Sequence, residues 1–317
     1  MKRNNSLTVL LPFKGENSYI FEAISSIFYT DTLDIKLILI YHDENYDFLE
    51  KLKLFCKKYN NVSFIKVDKS GLAYALNTGI LNSSTELIAR LDSDDLVIPG
   101  RFEKQIEYLN NYKNVAVVGS QVEYIDQNGQ HKGFSRYPVG IEEVRDGFLL
   151  GSQVAHPSVM LRKSAIIKIG NYSEYYSENK TSIIEDLYLW MRVLDLFEIA
   201  NIDEPLTKYR QHEGQVSNSN QLVINELTLR IIGLKMLANA MNQSFVKINE
   251  DFNSIKNMQL FIRIKPQITH VNGVSIQRYR RSLLVWSAKN ALASLKKLRM
   301  FRFYLSLKII CFWCYPI

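Results

Sequence analysis

Three carboxylates stand within four residues at Asp92-Ser93-Asp94-Asp95, directly after the apolar run Leu87-Ile88-Ala89 with Arg90 and Leu91. Like charges packed this tightly repel one another, and a divalent cation together with a nucleoside diphosphate would offset that repulsion. The spacing fits a D-x-D metal site. An acidic turn, or a helix N-cap ahead of Pro99, has the same composition, so the triplet by itself leaves both readings open. A second acidic pair, Glu185-Asp186, opens an amphipathic helical pattern, where acids also favour the positive end of the helix dipole.

The surrounding elements must place these groups. Leu7–Phe13, Ile35–Tyr41, Val62–Val67, Glu86–Leu91 and Val115–Gly119 are predicted strands, separated by helical patterns at Ser18–Tyr29, Phe48–Tyr59, Ala73–Asn82 and Arg101–Tyr112. This β-α alternation predicts an α/β fold with a mostly parallel sheet flanked by helices, whose ligands bind beyond the carboxyl ends of the strands. The acidic triplet sits at such an end. After Gly119 the rhythm changes: residues 121–138 read as a hairpin turning at Asp126-Gln127-Asn128-Gly129, Ile141–Leu150 as a helix, and Pro157–Leu161 as a strand. Asn171–Ser182 reads as a loop, residues 184–196 as a helix, and everything from about 220 onward as helical.

The chain has 317 residues, enough for one large or two modest domains, and its formal charge of +7 is unevenly placed. No Asp or Glu follows Asp251, while residues 252–317 carry 12 Lys and Arg; the first 251 residues hold 27 basic against 32 acidic side chains. A mildly acidic body argues against nucleic acid as partner. The basic tail, rich in Leu, Phe, Ile and Trp, suggests attachment to an anionic membrane surface, with packing on the body or self-association as the other readings. Three cysteines (Cys56, Cys311, Cys314) build no disulfide framework and fit a cytoplasmic compartment; no secretory signal and no run of 18 apolar residues is expected. The single pair Cys311 and Cys314 lacks the partners that a zinc site needs.

Taken in order, Gly71-Leu72-Ala73-Tyr74-Ala75-Leu76-Asn77-Thr78-Gly79, then Ile88-Ala89-Arg90-Leu91-Asp92-Ser93-Asp94-Asp95, then Pro99-Gly100-Arg101, resemble the nucleotide-sugar-binding half of family 2 glycosyltransferases. The opening Val9-Leu10-Leu11-Pro12-Phe13 is similar too. So are His156-Pro157-Ser158, Gly170-Asn171-Tyr172, Glu185-Asp186 and the closing Tyr209-Arg210-Gln211-His212, so the resemblance covers about residues 7–219. It implies a GT-A type, Rossmann-like catalytic domain over 1–219, divided near 119 into donor and acceptor halves, followed by a helical, basic region over 220–317.

What the resemblance implies is an inverting, metal-assisted transferase that moves a sugar from a nucleotide-sugar donor to a hydroxyl of a glycan or lipid-linked glycan, as in surface polysaccharide assembly at the inner face of the cytoplasmic membrane. A non-catalytic nucleotide-sugar-binding scaffold is the other reading. Asp94 is then the expected ligand of Mn2+ or Mg2+, with Asp92 on the metal or ribose, Asp95 orienting the pair and His212 completing the shell. Pro12, Phe13, Asp43, Gly71, Asn77, Arg90 and Arg210 are expected on the donor side, and Arg210 and His212 share a face if the strand Leu206–Tyr209 continues its alternation. Asp186 is the expected general base, Glu185 its competitor, and His156 a candidate for the acceptor pocket. Two departures from the family pattern stand out: His42-Asp43-Glu44-Asn45 replaces the usual acidic pair and Gly-Ser, and Lys14 replaces a common Asn, so neither the base nor the sugar of the donor is assigned.

Overall fold

The computed structural model describes residues 6–29, 32–42, 45–148, 152–174 and 185–212, with two further pairs at 270–271 and 274–275. The chain divides into two compact units, Met1–Asp146 with Ser152–Thr228 and Gly147–Gly151 with Leu229–Ile317. In the second, the described residues form a small antiparallel hairpin, β10 (His270–Val271) on β11 (Val274–Ser275), where a helix was expected. The rest of the basic tail lies outside the described residues. No described helix is long and apolar enough to cross a membrane.

The first unit is built on a nine-stranded sheet. Its parallel part runs β3 (Val62–Lys66), β2 (Asp34–Tyr41), β1 (Ser6–Phe13), β4 (Leu87–Arg90). These are the apolar runs of the sequence. β1 is buried at seven of its eight residues, as a central strand covered on both faces must be. Helices α1 (Ile20–Ile27), α2 (Tyr46–Cys56), α3 (Leu72–Asn82) and α4 (Arg101–Asn111) cover it. α1 buries Ile20, Ala23, Ile24 and Ile27, one stripe at helical spacing, and α2 starts where the Asn45 side chain accepts the Phe48 N–H at 3.0 Å. On α3, a Cβ at Gly79 would meet Ile40 Cδ1 at 2.6 Å and Leu10 Cδ2 at 2.8 Å. Only glycine lets that helix lie so close to β1 and β2.

Beyond β4 the sheet is mixed. β8 (Met160–Arg162) pairs antiparallel with both β4 and β6 (Val115–Asp126), and β6 pairs parallel with β9 (Glu198–Gln211). β5 (Leu96–Val97) closes the edge on β9, and β7 (His131–Phe134) folds back on β6 through the expected turn. α5 (Ile141–Gly147), α6 (Lys163–Lys168) and α7 (Glu185–Val193) complete the unit. Three expectations change here. β6 runs seven residues past Gly119, because its second half is the first arm of the hairpin. His156–Ser158 is a 3-10 turn and not strand, since Pro157 cannot donate to a ladder, so the strand begins at Met160. The helix expected over 184–196 is described from Glu185 and ends at Val193.

Candidate active site

A cleft of about 1360 Å³ opens at the carboxyl ends of β1, β2 and β4 and continues along β6 and β9. Pro12, Phe13, Gly71, Arg90, Asp92, Asp94, Asp95, His156, Glu185, Asp186 and His212 all line it. Residues 92 and 186 are far apart in sequence, yet one cavity collects them. Asp43 lies outside the described residues, between His42, which lines the cleft, and the Asn45 cap.

The acidic loop is a tight turn, Asp95 N–H to Asp92 carbonyl at 3.2 Å, braced by Asn17, whose side-chain amide donates to Ser93 Oγ at 2.9 Å. Its three carboxylates lie within 4.8 Å of one another. Asp92 pairs with the Arg90 guanidinium, Asp94 Oδ2 meets His212 Nε2 at 2.9 Å, and Asp95 Oδ1 accepts the Arg210 backbone N–H at 2.8 Å. Asp95 Oδ2 is buried without a partner. Burial, and then the charges of Asp92 and Asp94, push the Asp95 pKa well above the usual carboxylate range; burial also raises Asp92 despite the opposing charge of Arg90. Crowded, half-satisfied acids of this kind suit a hard divalent cation, and Asp92, Asp94 and Asp95 are the described residues whose ligand atoms gather closely enough to hold one.

The second acidic group opens α7. Asp186 Oδ1 accepts the Leu187 N–H at 2.6 Å. Burial pushes its pKa up to about 6, so it is ionised at neutral pH. Glu185 is 4% exposed; burial and then the Asp186 charge push its pKa up to about 8, which keeps its proton on at neutral pH, and its Oε2 has no partner. Behind it, His156 Nδ1 lies 4.0 Å from Glu185 Oε1 and His156 Nε2 lies 2.7 Å from the Tyr172 hydroxyl. Burial, then the Arg90 charge, drives the His156 pKa well down, so the imidazole is neutral. Burial thus raises the pKa of both carboxyls, and the Asp186 charge raises that of Glu185 further, so the pair holds protons above the usual carboxylate range.

Two expected donor contacts fall elsewhere. Arg210 is buried beneath the acidic loop: its guanidinium donates to the Asp94 carbonyl at 2.9 Å, the Gln127 carbonyl at 3.2 Å and the Glu22 carboxylate at 2.9 Å, and stacks over Tyr19. β9 continues through Gln211, so Tyr209 and Gln211 face the cleft and Arg210 faces away, while His212, just past the strand end, escapes the alternation and turns to Asp94. Asn77 does not line the cleft either. Its carboxamide clamps the backbone of Tyr172, accepting the N–H and donating to the carbonyl, both at 2.9 Å.

Residues that the sequence did not single out also shape the cleft. Tyr124, Tyr137 and Tyr209 line it, and Gln121 holds Tyr137 as Asn77 holds Tyr172, accepting its N–H and donating to its carbonyl, again at 2.9 Å each. Alternation along β6, where Val122, Tyr124 and Asp126 line the cleft, was the available signal, once that strand was known to run past Gly119.

Known proteins are similar to this chain in sequence and in fold. The chain is 29% identical to the amylovoran biosynthesis glycosyltransferase AmsE of Erwinia amylovora over 173 residues, 53% of this chain and 62% of that protein. It is 27% identical to the O-antigen biosynthesis glycosyltransferase WbnJ of Escherichia coli over 217 residues, 67% of this chain and 82% of that one. In fold it is similar to S. aureus TarS 1-349, crystallised in complex with UDP-GlcNAc, with a TM-score of 0.59, 16% identity, and coverage of 97% of this chain and 89% of that one. The sequence model described as glycosyl transferase family 2 matches residues 8–170, more than half of the 317, and the chain therefore belongs to glycosyl transferase family 2.

Proposed function

We propose that this protein is an inverting, metal-assisted glycosyltransferase of surface polysaccharide assembly. It takes one sugar from a nucleoside-diphosphate donor to a hydroxyl of a glycan or lipid-linked glycan. The observation that carries the reading is the shared cleft: a carboxylate cluster suited to a diphosphate and its cation, and a separate carboxylate, Asp186, lining the same space. The relatives' printed roles in amylovoran and O-antigen biosynthesis support the pathway class.

Asp92, Asp94 and His212 would hold the cation, which supplies charge stabilisation to the departing diphosphate. Pro12, Phe13 and Gly71 bound the donor side by backbone and ring, and Arg90 keeps Asp92 oriented. Asp186 takes the proton from the attacking hydroxyl as the new bond forms opposite the leaving group. Glu185, protonated and beside it, adds no second negative charge to repel the developing alkoxide. Screening UDP-, GDP- and dTDP-sugars by thermal shift with Mn2+ or Mg2+ tests the donor class: metal-dependent stabilisation by one of them is expected, and stabilisation by none refutes the reading.

The basic tail is proposed to hold the enzyme on an anionic membrane surface. From Arg278 to Lys308 nine Lys and Arg are interleaved with Leu, Phe and Trp, and each basic residue near anionic lipid contributes about 1 kcal/mol. Full-length protein should sediment with phosphatidylglycerol vesicles at low salt; a chain ending near Val274 should not.

A further inference from the structure

We infer that Tyr124, Tyr137 and Tyr209 form the subsite for the acceptor, and that what they take is the ring of a neutral pyranose, laid against the phenols beside Asp186. The inference deepens the proposed function and rests on it. Tyr124 and Tyr209 are register partners on β6 and β9, with ring centroids 5.9 Å apart at 82°. Tyr137 lines the same cleft as Tyr124, Tyr209 and Asp186. All three rings line the open cleft and are only partly buried, so they are not core packing.

Gln121 holds Tyr137 in the loop between β7 and α5: its buried carboxamide grips the Tyr137 backbone at both polar groups and also accepts the Ser135 hydroxyl at 2.7 Å. A backbone fixed before the ligand arrives leaves only side-chain torsions to order on binding. The faces of such rings are electron-rich and attract the polarised C–H groups of a sugar ring, while their hydroxyls and the neighbouring Gln211 and Asp126 meet its hydroxyls.

Charge decides against an anionic acceptor group at this spot. Asp126 and Asp186 line this part of the cleft, and Arg90, the lining cation whose charge reaches Asp186, is already paired with Asp92. A phosphate here would face Asp186. A bare apolar chain would face Asp126, Gln127 and Asn128. A neutral saccharide satisfies both constraints.

The test uses the full-length protein with Mn2+, titrated first with UDP, GDP and dTDP by calorimetry. It is then probed, with the best nucleotide present, by saturation-transfer NMR against the methyl glycosides of glucose, galactose, mannose and N-acetylglucosamine, and against methyl glucuronide. Saturation is expected on the ring C–H protons of at least one neutral glycoside. Tyr124→Ala and Tyr209→Ala should each weaken that glycoside by about 3- to 10-fold, the size of one aromatic contact, with nucleotide affinity unchanged. Tyr209→Phe should retain it. If either Ala variant fails to fold, Tyr209→Leu, which keeps bulk without a π face, carries the same expectation. A nucleotide-binding protein that gives no neutral glycoside signal, prefers the glucuronide, or binds glycosides equally well in the variants overturns the subsite alone. A protein that binds none of the nucleotides overturns the transferase reading, and the subsite with it.

Discussion

On the proposed donor side of the cleft the lining groups come from strand ends and the loops just beyond them: Pro12 and Phe13 close β1, Tyr41 and His42 close β2, and Asp92, Asp94 and Asp95 follow β4. On the proposed acceptor side they come from the faces of strands and the start of a helix: Val122, Tyr124 and Asp126 along β6, Tyr209 and Gln211 along β9, Glu185 and Asp186 on α7. Parallel strands point their carboxyl ends to one rim, so a short loop after each suffices to build a site for phosphates and a cation. The mixed half has no common rim. It offers a wall instead, and a wall is shaped to hold the face of a ring.

The sharpest way to break this comparison is to remove one carboxylate from each side. Asp186→Asn should leave metal-dependent donor binding intact while turnover falls about 10²- to 10⁴-fold, the usual contribution of a general base. Asp94→Asn should do the reverse at the binding stage, lowering metal-dependent donor affinity by at least about tenfold, since a neutral amide is a poor ligand for a hard cation. Calorimetry with the donor and steady-state kinetics separate the two. If Asp186→Asn turns over normally and Glu185→Gln does not, the base is Glu185; if Asp94→Asn binds donor in Mn2+ as tightly as the parent, Asp94 is no ligand.

The same contrast explains what could be read from the sequence. β1, β2 and β4 are largely apolar runs and β3 an alternating one, and the loops beyond them carry dense, ordered motifs, so both the parallel sheet and the acidic triplet were legible. Arg210 was misplaced because alternation pairs it with His212, whereas β9 turns Tyr209 and Gln211 to the cleft and His212 reaches Asp94 only because it lies past the strand end. Asn77 belongs to a recognisable motif, yet nothing in a motif says that its carboxamide grips a backbone 95 residues away. The tyrosines of the wall were hidden among 18 Tyr and 16 Phe, most of which a composition argument must assign to the core.

A smaller effect is expected from the two carboxamide clamps. Asn77→Ala and Gln121→Ala each strand the N–H and the carbonyl of a clamped tyrosine, and a buried group left without its partner costs about 1–3 kcal/mol, readable as a shift in urea midpoint. The clamps should differ in function. Gln121→Ala frees Tyr137 on the acceptor wall and should raise acceptor KM, whereas Asn77→Ala frees Tyr172, behind His156, and should act chiefly on kcat. Identical kinetic signatures would show that the two clamps serve stability only.

A further effect, and the one that separates the two acidic groups most cleanly, lies in the pH dependence of stability. Glu185 has its pKa raised by burial and by Asp186 from the ordinary 4.5 to about 8, so between those values the folded chain keeps a proton that the unfolded chain releases. Stability from this group is therefore complete below about pH 4.5 and is lost as pH rises through about 8. Gln at this position is neutral throughout and has nothing to lose. Glu185→Gln should match the parent in acid and become progressively more stable than it toward about pH 9, measured as urea midpoints at constant ionic strength. The acids of the loop after β4 also have raised pKa values, but a cation bound there would favour their charged forms, so Mn2+ should flatten their share of the alkaline loss and leave the Glu185→Gln difference standing. Placing the substitution in an Asp186→Asn background should shrink the difference, because the Asp186 charge is the second of its causes after burial. A Glu185→Gln difference that stays flat with pH would mean that Glu185 is already ionised in the folded protein, and the division of labour between the two carboxyls would have to be redrawn.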